Sequence, residues 1–307
     1  MDFLSNILDK DELIIYTLRK LYKESGYKKY RMSKFEEYDL YVKNKDFLLS
    51  DNIITFTDID GKLMALKPDV TLSIIKNTKD NNETISKLYY NENVYRASSN
   101  SQSYKEIMQV GVECIGNVDT MCICENILLA VKSLSLIKND FILDISHLDI
   151  IEKITKEFNI SETGKKNILK ALGEKNIQYM DEIIEEENIS EKCGNFIKSL
   201  IHTYGMPKDV IKKLELSEFS SILKEEIELL KNISDTLIKN GFEKNTRIDF
   251  SVINNMKYYN GIAFKGFING VPEGVLSGGQ YDKLMNKMGK KSNAIGFAVY
   301  LDVLDRI

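Results

Sequence analysis

Gln109, Gly111 and Glu113 form the clearest row of polar positions in the chain. They fall in a run of strand character, residues 107–115, where alternate side chains share a face. The opposite face is apolar and carries Met108, Val110, Val112 and Cys114. Amide and carboxylate oxygens accept hydrogen bonds, and Arg96, at the end of the preceding strand-like run, can lean toward them as a donor. The row has the groups for binding a polar ligand, although a half-solvated antiparallel sheet shows the same alternation.

Asp69 is a second candidate, and it stands at the start of a helical pattern over residues 69–79. An aspartate there accepts hydrogen bonds from the free N–H groups of the first helical turn. Lys76 and Lys79 near the other end suit the helix dipole. Residue type alone therefore also permits a simple helix cap.

The chain contains only two histidines, His147 and His202, far apart in the sequence. A Ser-His-Asp arrangement and a histidine-ligated metal are therefore disfavoured. The four cysteines include Cys122 and Cys124, but no histidine or further cysteine lies near them at a zinc spacing. We expect no cofactor, no metal, and reduced thiols of the kind found in the cytoplasm.

Charges of both signs are mixed along the 307 residues, and the net charge is −4. A nucleic-acid-binding surface would need a basic stripe, so we expect no nucleic-acid partner. No apolar run is expected to cross a bilayer, and the acidic start differs from the basic start of a signal peptide. The composition predicts a cytoplasmic protein without a membrane partner, long enough for one large domain or two.

The spacing of apolar and turn residues predicts the elements at the start of the chain. Apolar periodicity predicts a helix over residues 11–25, with Gly26 as its C-cap. Residues 35–42 are expected to form a short strand. Asp60-Gly61, between two alternating runs, predicts a hairpin within residues 52–68.

The central element is a long antiparallel hairpin. Residues 88–95 and 107–115 have strand character and flank a polar loop, residues 97–105, without proline. A helix over residues 119–137 and a strand over residues 141–145 are expected to follow.

Residues 148–240 change to successive helical segments with charged outer faces. Strand character returns from residue 246, Gly278-Gly279 suggest a close approach or a positive-φ turn, and a strand running into a helix is expected at the close. Strands at both ends of the chain must complete one sheet. We predict an α+β fold whose discontinuous core, residues 1–147 and 241–307, carries an all-helical insertion over residues 148–240.

Five motifs occur in a recognisable order. They are LKPDVT (66–71), the hairpin YYNENVYR and QVGVECIG (89–96 and 109–116), YYNGIAFKGF (258–267), SGGQYDKL (277–284) and IGFAVYLDVL (295–304). This order resembles class II histidyl-tRNA synthetases and, more closely, the synthetase-like regulatory subunits of ATP phosphoribosyltransferase. The resemblance covers the chain from its first helix onward and is weakest in the helical insertion. It implies a class II aminoacyl-tRNA synthetase-like antiparallel sheet flanked by helices.

Three positions depart from the synthetase pattern. Val303 replaces an arginine that grips ATP phosphates, and Tyr300 replaces a glycine shortly before it. Asn254 replaces an arginine that assists carboxylate activation. Arg96 is the motif-matched arginine that remains. Each of the two lost arginines removes roughly 3 kcal/mol of electrostatic stabilisation of the transition state, so the resemblance implies that adenylation and its catalytic residues are lost. The short remainder of the chain after Val303 is expected to leave no room for an anticodon-binding domain.

The resemblance implies that the histidine pocket is retained. Its implied contacts to the ammonium are Asp69, Thr71 and Gln109, and those to the imidazole are Glu113 and Tyr259. Tyr258 would line the wall, and Arg96 would contact the carboxylate. Such acceptors satisfy a buried ammonium, while a carboxylate and a phenol can bond both ring nitrogens. The alternative is an inherited, empty pocket that only supports folding.

The resemblance implies that the chain is a non-catalytic regulatory subunit of ATP phosphoribosyltransferase. It would work with a short-form catalytic subunit in the first step of histidine biosynthesis and would mediate feedback by histidine. A homodimeric unit within a hetero-oligomer is expected. The rival function is a truncated histidine-activating (adenylating) ligase, and a third is a scaffold whose pocket binds nothing.

Overall fold

The computed structural model describes residues 7–48, 53–80, 84–97, 103–253 and 259–304. Its helices are α1 (Lys10–Glu24), α2 (Tyr38–Lys43), α3 (Thr71–Asn77), α4 (Thr120–Ile137), α5 (Asp149–Glu157), α6 (Glu162–Gly173), α7 (Ile177–Glu186), α8 (Glu191–His202), α9 (Pro207–Leu216), α10 (Lys224–Lys239) and α11 (Asp282–Lys287). Short 3₁₀ helices occupy Lys45–Phe47 and Glu243–Asn245.

The strands form one large and one small sheet. They are β1 (Lys28–Lys29), β2 (Phe35–Glu37), β3 (Thr55–Thr57), β4 (Leu63–Leu66), β5 (Ser86–Ala97), β6 (Tyr104–Gly116), β7 (Phe141–His147), β8 (Tyr204–Gly205), β9 (Thr246–Asp249), β10 (Asn260–Ile268), β11 (Leu276–Gln280) and β12 (Asn293–Tyr300). The large sheet has the order β1-β5-β6-β12-β11-β10-β7-β9-β8. Its β1–β5 and β7–β9 pairs are parallel and the others antiparallel. The predicted α+β class with a mainly antiparallel sheet is confirmed.

Helix ends follow the chemistry that the sequence indicated. Gly26 has φ +85° after α1, and its N–H donates to the carbonyl of Lys23, as in a glycine-terminated helix. At the start of α4, the Asp119 side chain accepts from the Cys122 N–H at 2.8 Å. Helix α1 lies one residue before the predicted range, with Ser25 as its C-cap and Gly26 directly after it, while α4 ends at Ile137 as predicted.

The central hairpin is longer than its alternating pattern indicated. β5 and β6 pair from Ser86 opposite Ile115 to Ala97 opposite Tyr104. β12 pairs with the other edge of β6, with Asn293 opposite Gly116. The prediction that distant segments complete the sheet is therefore confirmed.

The polar face of β6 is buried, so the half-solvated sheet is wrong as a description. Gln109 and Glu113 are 5% and 2% exposed. A second layer, containing α3, α11 and the small sheet, packs over this face with Leu72, Tyr90 and Tyr281 in its core. The alternating pattern could not show this layer, because its residues lie far away in sequence.

The small sheet has the order β2-β4-β3 and contains the predicted Asp60-Gly61 hairpin, in which Gly61 has φ +80°. The expected strand over residues 35–42 is wrong in its second half. Strand β2 ends at Glu37, and residues 38–43 form α2. Tyr41 is fully buried in this layer, so helical packing of that side chain overrides the strand propensity of the run.

Helix α4 is the one described helix long and apolar enough by length and composition to span a membrane. It corrects the expectation that no apolar run has that length. The helix packs against α1, α10 and the sheet strands β7, β10 and β12. Ile127 and Leu134 are completely buried there. This is the position of a core helix.

Residues 149–239 contain six helices, α5 to α10. Helix α9 was missed by the apolar-period analysis, although Pro207 occupies its first turn, where proline is favoured. The two-residue strand β8 was missed as well, and it pairs with β9 of the large sheet. Buried side chains of the segment continue into the main core. The division into core and insertion stays a prediction.

Two expectations near the end of the chain have different outcomes. Gly278 serves a close approach, because a Cβ there would lie 2.5 Å from Phe297 Cβ. After β12, the described residues contain no regular helix: the Leu304 N–H donates to the Leu301 carbonyl in a single turn. The expected closing helix is absent from the part that the structure describes, up to residue 304.

Candidate functional site

A cavity of about 400 Å³ opens against the polar face of β6. Strands β5, β6, β10, β11 and β12 line it, together with the start of α3. It brings together seven predicted residues: Asp69, Thr71, Arg96, Gln109, Glu113, Tyr259 and Tyr300. This volume suits a small polar molecule such as an amino acid. The predicted grouping in space is observed, whereas the roles of the residues remain a prediction.

Glu113 lies at the centre of the hydrogen bonding in the cavity. Its Oε1 accepts from the Thr71 hydroxyl at 2.8 Å, and its Oε2 accepts from the Tyr281 hydroxyl at 2.6 Å. Burial raises the pKa of Glu113 to about 8, against the opposing effect of those two donors. In the ionised form each carboxylate oxygen has a further lone pair, so ionised Glu113 retains acceptor capacity for a ligand.

Glycines create the space for these side chains. Gly296 is paired with Glu113 across the β6–β12 ladder, and a Cβ on Gly296 would lie 1.9 Å from Glu113 Oε2. A Cβ on Gly111 would likewise lie 2.4 Å from the Tyr90 hydroxyl. Any larger residue at either position must displace a cavity side chain.

Asp69 both caps a helix and lines the cavity. Its Oδ1 accepts from the Leu72 N–H at 2.9 Å, so the cap predicted from residue type exists. Burial raises the pKa of Asp69, while the Leu72 N–H and the Arg96 charge act in the opposite direction. The nearby Asp69 charge also helps to raise the pKa of Glu113. Two crowded carboxyl groups favour a cationic ligand, which relieves their repulsion and replaces lost water.

Arg96 is fixed at the cavity by its Nε, which donates to the Pro68 carbonyl at 2.9 Å. Pro68 directly precedes Asp69, so the anchor holds the guanidinium beside the start of α3. Arg96 lines the same cavity as Gln109 and Glu113, and its predicted contact with the polar face of β6 stays a prediction.

Tyr259 and Tyr300 are the aromatic members of the predicted set that the structure describes. Both line the cavity, and Tyr300 stands opposite Gln109 in the β6–β12 ladder. Burial raises the pKa of both phenols, while a hydrogen bond with the Ser277 hydroxyl acts in the opposite direction. Val303 packs against the main hydrophobic core instead of lining the cavity. Asn254 and Tyr258 lie outside the described residues.

Several cavity residues escaped the sequence reasoning. They include Tyr281, Ser277, Lys265, Glu273 and Phe47. Tyr281 and Ser277 belong to the quoted SGGQYDKL motif, so a hydroxyl search within that motif could have found them. Lys265 lies on β10 and adds a second cation to the lining. Phe47 carried no such signal.

The family model described as Histidyl-tRNA synthetase matches residues 2–304 of the chain. The chain belongs to the histidyl-tRNA synthetase family. Membership confirms the resemblance that the five ordered motifs indicated.

Relatives within the family carry a more specific name. The ATP phosphoribosyltransferase regulatory subunit of Caldanaerobacter subterraneus subsp. tengcongensis is 30% identical over 306 residues, covering 98% of this chain and 77% of the relative. A regulatory subunit from Bacillus cereus is 28% identical, covering 93% of this chain and 69% of the relative. The resemblance to this regulatory branch of the family is confirmed.

Solved structures share the fold. A Bacillus halodurans protein titled ATP phosphoribosyltransferase regulatory subunit/histidyl-tRNA synthetase superposes with a TM-score of 0.83 at 23% identity, covering 96% of this chain and 78% of that one. Histidyl-tRNA synthetase from Nostoc gives 0.78 at 18% identity, covering 96% and 70%. A chain of the Thermotoga maritima ATP phosphoribosyl transferase (HisG:HisZ) complex gives 0.71 at 17% identity, covering 94% and 96%. These neighbours show the class II synthetase-like fold.

Proposed function

We propose that this chain is a non-catalytic regulatory subunit of ATP phosphoribosyltransferase, acting in the first step of histidine biosynthesis. The relatives bear that name over most of the chain. A structural neighbour comes from a complex titled with two subunits of that enzyme, which supports a partnership with a short-form catalytic subunit. The chemistry of ATP and phosphoribosyl pyrophosphate would belong to that partner.

The observation that carries the proposal is a polar cavity that is retained although neighbouring positions differ from the synthetase pattern. Asp69, Thr71, Gln109 and Glu113 converge on one space, whereas Tyr300 fills part of its lining where the synthetase pattern has glycine. Val303 supplies an apolar side chain to the core where that pattern has a phosphate-gripping arginine. A binding site with weakened nucleotide apparatus suits a sensor better than an adenylating enzyme.

Histidine is the proposed effector. Its ammonium would lie near Asp69, Thr71 and Gln109, where a cation would stabilise the ionised form of Asp69 against the burial that raises its pKa. Its imidazole would contact Glu113 and Tyr259. Arg96 would contact the carboxylate, and Tyr258 would complete the wall. The ligand fits the groups present because each of its charged ends meets a group of opposite character.

Feedback would arise from linkage between this cavity and the quaternary arrangement. Histidine shifts activity only by the difference in its affinity for two arrangements, typically about 1–3 kcal/mol. We propose a homodimeric unit within a hetero-oligomer, located in the cytoplasm. Twofold symmetry is the commonest arrangement for such subunits.

Co-purification with the short-form catalytic subunit tests the regulatory role. We expect a stable complex whose ATP phosphoribosyltransferase activity exceeds that of either component alone. Failure of the two chains to associate, with full activity in the catalytic subunit by itself, would contradict the proposal. Calorimetric titration with histidine separates a sensor from a scaffold, because a scaffold restores activity without any heat of binding.

A second candidate function is a truncated histidine-activating ligase. Two cationic residues in the cavity, Arg96 and Lys265, are the observation that favours it. Histidine-dependent exchange of labelled pyrophosphate into ATP tests this candidate directly. Exchange at ordinary enzyme concentration would support the ligase, and we expect none.

A further inference from the structure

The start of β10 contains a bulge next to the cavity. Asn260 pairs with Gln280 of β11, but the next paired residue is Ala263 with Gly279, so the register shifts between them. Gly261 within this bulge has φ +56°, a conformation that favours glycine. The bulge lies directly after Tyr259, which lines the cavity.

Side-chain and backbone groups from other parts of the chain satisfy the backbone of the bulge. The Gly261 N–H donates to Asp149 Oδ1 at 3.0 Å, and the Gly261 carbonyl accepts from the Leu148 N–H at 2.7 Å. The Ile262 N–H donates to Gln280 Oε1 at 2.9 Å. Buried backbone groups need such partners, so the geometry of the bulge depends on these contacts.

Asp149 belongs to the helical segment of residues 149–239, because it is the first residue of α5. Leu148 and Asp149 together hold both polar groups of Gly261. A second cavity, of about 440 Å³, lies beside this contact, and Tyr259 lines that space as well as the first cavity. Tyr259 therefore lies between the proposed histidine pocket and the helical segment.

We propose that Asp149 is a positioning residue that fixes Tyr259 through the Gly261 bulge. Asp149 thereby couples histidine binding to the position of the helical segment. The proposal rests on the proposed function for its ligand. A ligand that contacts Tyr259 favours one bulge geometry, and that geometry favours one position of Leu148 and Asp149. Because coupling is reciprocal, loosening the contact of the helical segment with the bulge must also weaken binding of the ligand.

The test compares two aspartates that flank β7. Asp149 follows the strand and holds Gly261, while Asp140 precedes it and accepts from the Asn269 side chain at 2.7 Å beyond the other end of β10. Asp149→Ala removes the acceptor for Gly261, Asp149→Asn keeps an oxygen without the charge, and Asp140→Ala is the matched control. Each variant is titrated with histidine by calorimetry, and its amide hydrogen exchange is measured without ligand.

We expect Asp149→Ala to weaken histidine binding by up to about tenfold, because the coupling can pass on to the ligand at most the free energy of the lost hydrogen bond between Asp149 and Gly261. Exchange at the Gly261 N–H should accelerate, Asp149→Asn should restore most of both properties, and Asp140→Ala should change neither. A helix-dipole effect alone would not be rescued by the uncharged asparagine. Equal histidine affinity and equal Gly261 exchange in the two alanine variants would overturn the proposal.

A second variant avoids any folding defect in α5. Gln280→Ala removes the acceptor of Ile262 from the other side of the bulge and leaves the helical segment intact. It should also weaken histidine and accelerate exchange at Ile262, and wild-type values for both would contradict the positioning role. If the wild-type chain gives no heat with histidine, the effector proposal fails. The exchange comparison then still decides whether Asp149 holds the bulge.

Discussion

Gly296 stands opposite Glu113 in the ladder between β6 and β12, and a Cβ on Gly296 would lie 1.9 Å from Glu113 Oε2. The missing side chain is what permits a buried carboxylate at the centre of the cavity. Because strands hold both backbones, the carboxylate cannot share this space with a methyl group.

Gly296→Ala should therefore displace the Glu113 side chain from Thr71 and Tyr281. We expect a loss of about 1–3 kcal/mol in unfolding free energy, typical of an overpacked interior, and much weaker histidine binding. Denaturant unfolding and calorimetry provide the two measurements. Gly173→Ala is the matched control, because its Cβ would meet Ile253 at an ordinary 3.6 Å. Similar effects of the two substitutions would contradict the close-packing argument.

Tyr281→Phe should raise the pKa of Glu113 further. The Tyr281 hydroxyl donates to Glu113 Oε2 at 2.6 Å and stabilises the ionised form, so its loss favours the protonated carboxyl. Carbon-13 NMR titration of the Glu113 carboxyl measures this change. Tyr104→Phe, at an exposed tyrosine, should leave the titration unchanged. A lower Glu113 pKa in Tyr281→Phe would disprove the assigned hydrogen bond.

The stability of the unliganded chain should depend on pH through Glu113. Its pKa rises from the ordinary glutamate value of 4.5 to about 8 in the fold, so the folded state binds the proton more tightly. The contribution is complete below about pH 4.5 and is lost as the pH rises through about 8. Glu113→Gln should remove this loss, and its advantage over wild type in melting temperature should grow between pH 6 and pH 9. A difference that is constant across this range would show that Glu113 titrates normally.

Tyr259→Phe removes the phenol proposed to contact the imidazole while keeping the ring. Loss of one hydrogen bond of about 1 kcal/mol predicts several-fold weaker histidine binding with little change in melting temperature. Tyr16→Phe on the exposed face of α1 is the control. Unchanged affinity in Tyr259→Phe would remove Tyr259 from the proposed contacts.

The sequence predicted the parts of the fold that depend on local spacing. The central hairpin, the Asp60-Gly61 turn and helix α4 all follow from periodicity or turn chemistry. Residues 35–42 were mistaken because burial of Tyr41 in a tertiary contact decides the helical conformation there. Helix α9 was missed because it is short and follows a break at Pro207.

The sequence predicted which residues meet in the candidate site better than it predicted how they contact one another. Motif order indicated that Asp69, Gln109 and Glu113 would meet, and they line one cavity. The hydrogen bond from the Tyr281 hydroxyl to Glu113 depends on the pairing of β11 with β12 in three dimensions, which no local pattern encodes. The Asp149 contact with Gly261 spans 112 positions and was likewise invisible to local spacing.

The most direct test of the central claim is the histidine dependence of ATP phosphoribosyltransferase activity in the complex reconstituted with the short-form catalytic subunit. The wild-type chain and Glu113→Gln are compared over a histidine titration, with Glu106→Gln as a control on the exposed part of β6. We expect wild type and Glu106→Gln to stimulate the catalytic subunit and to respond to histidine, whereas Glu113→Gln should stimulate it but no longer respond. Identical histidine inhibition in all three complexes would contradict the claim that this cavity is the sensor.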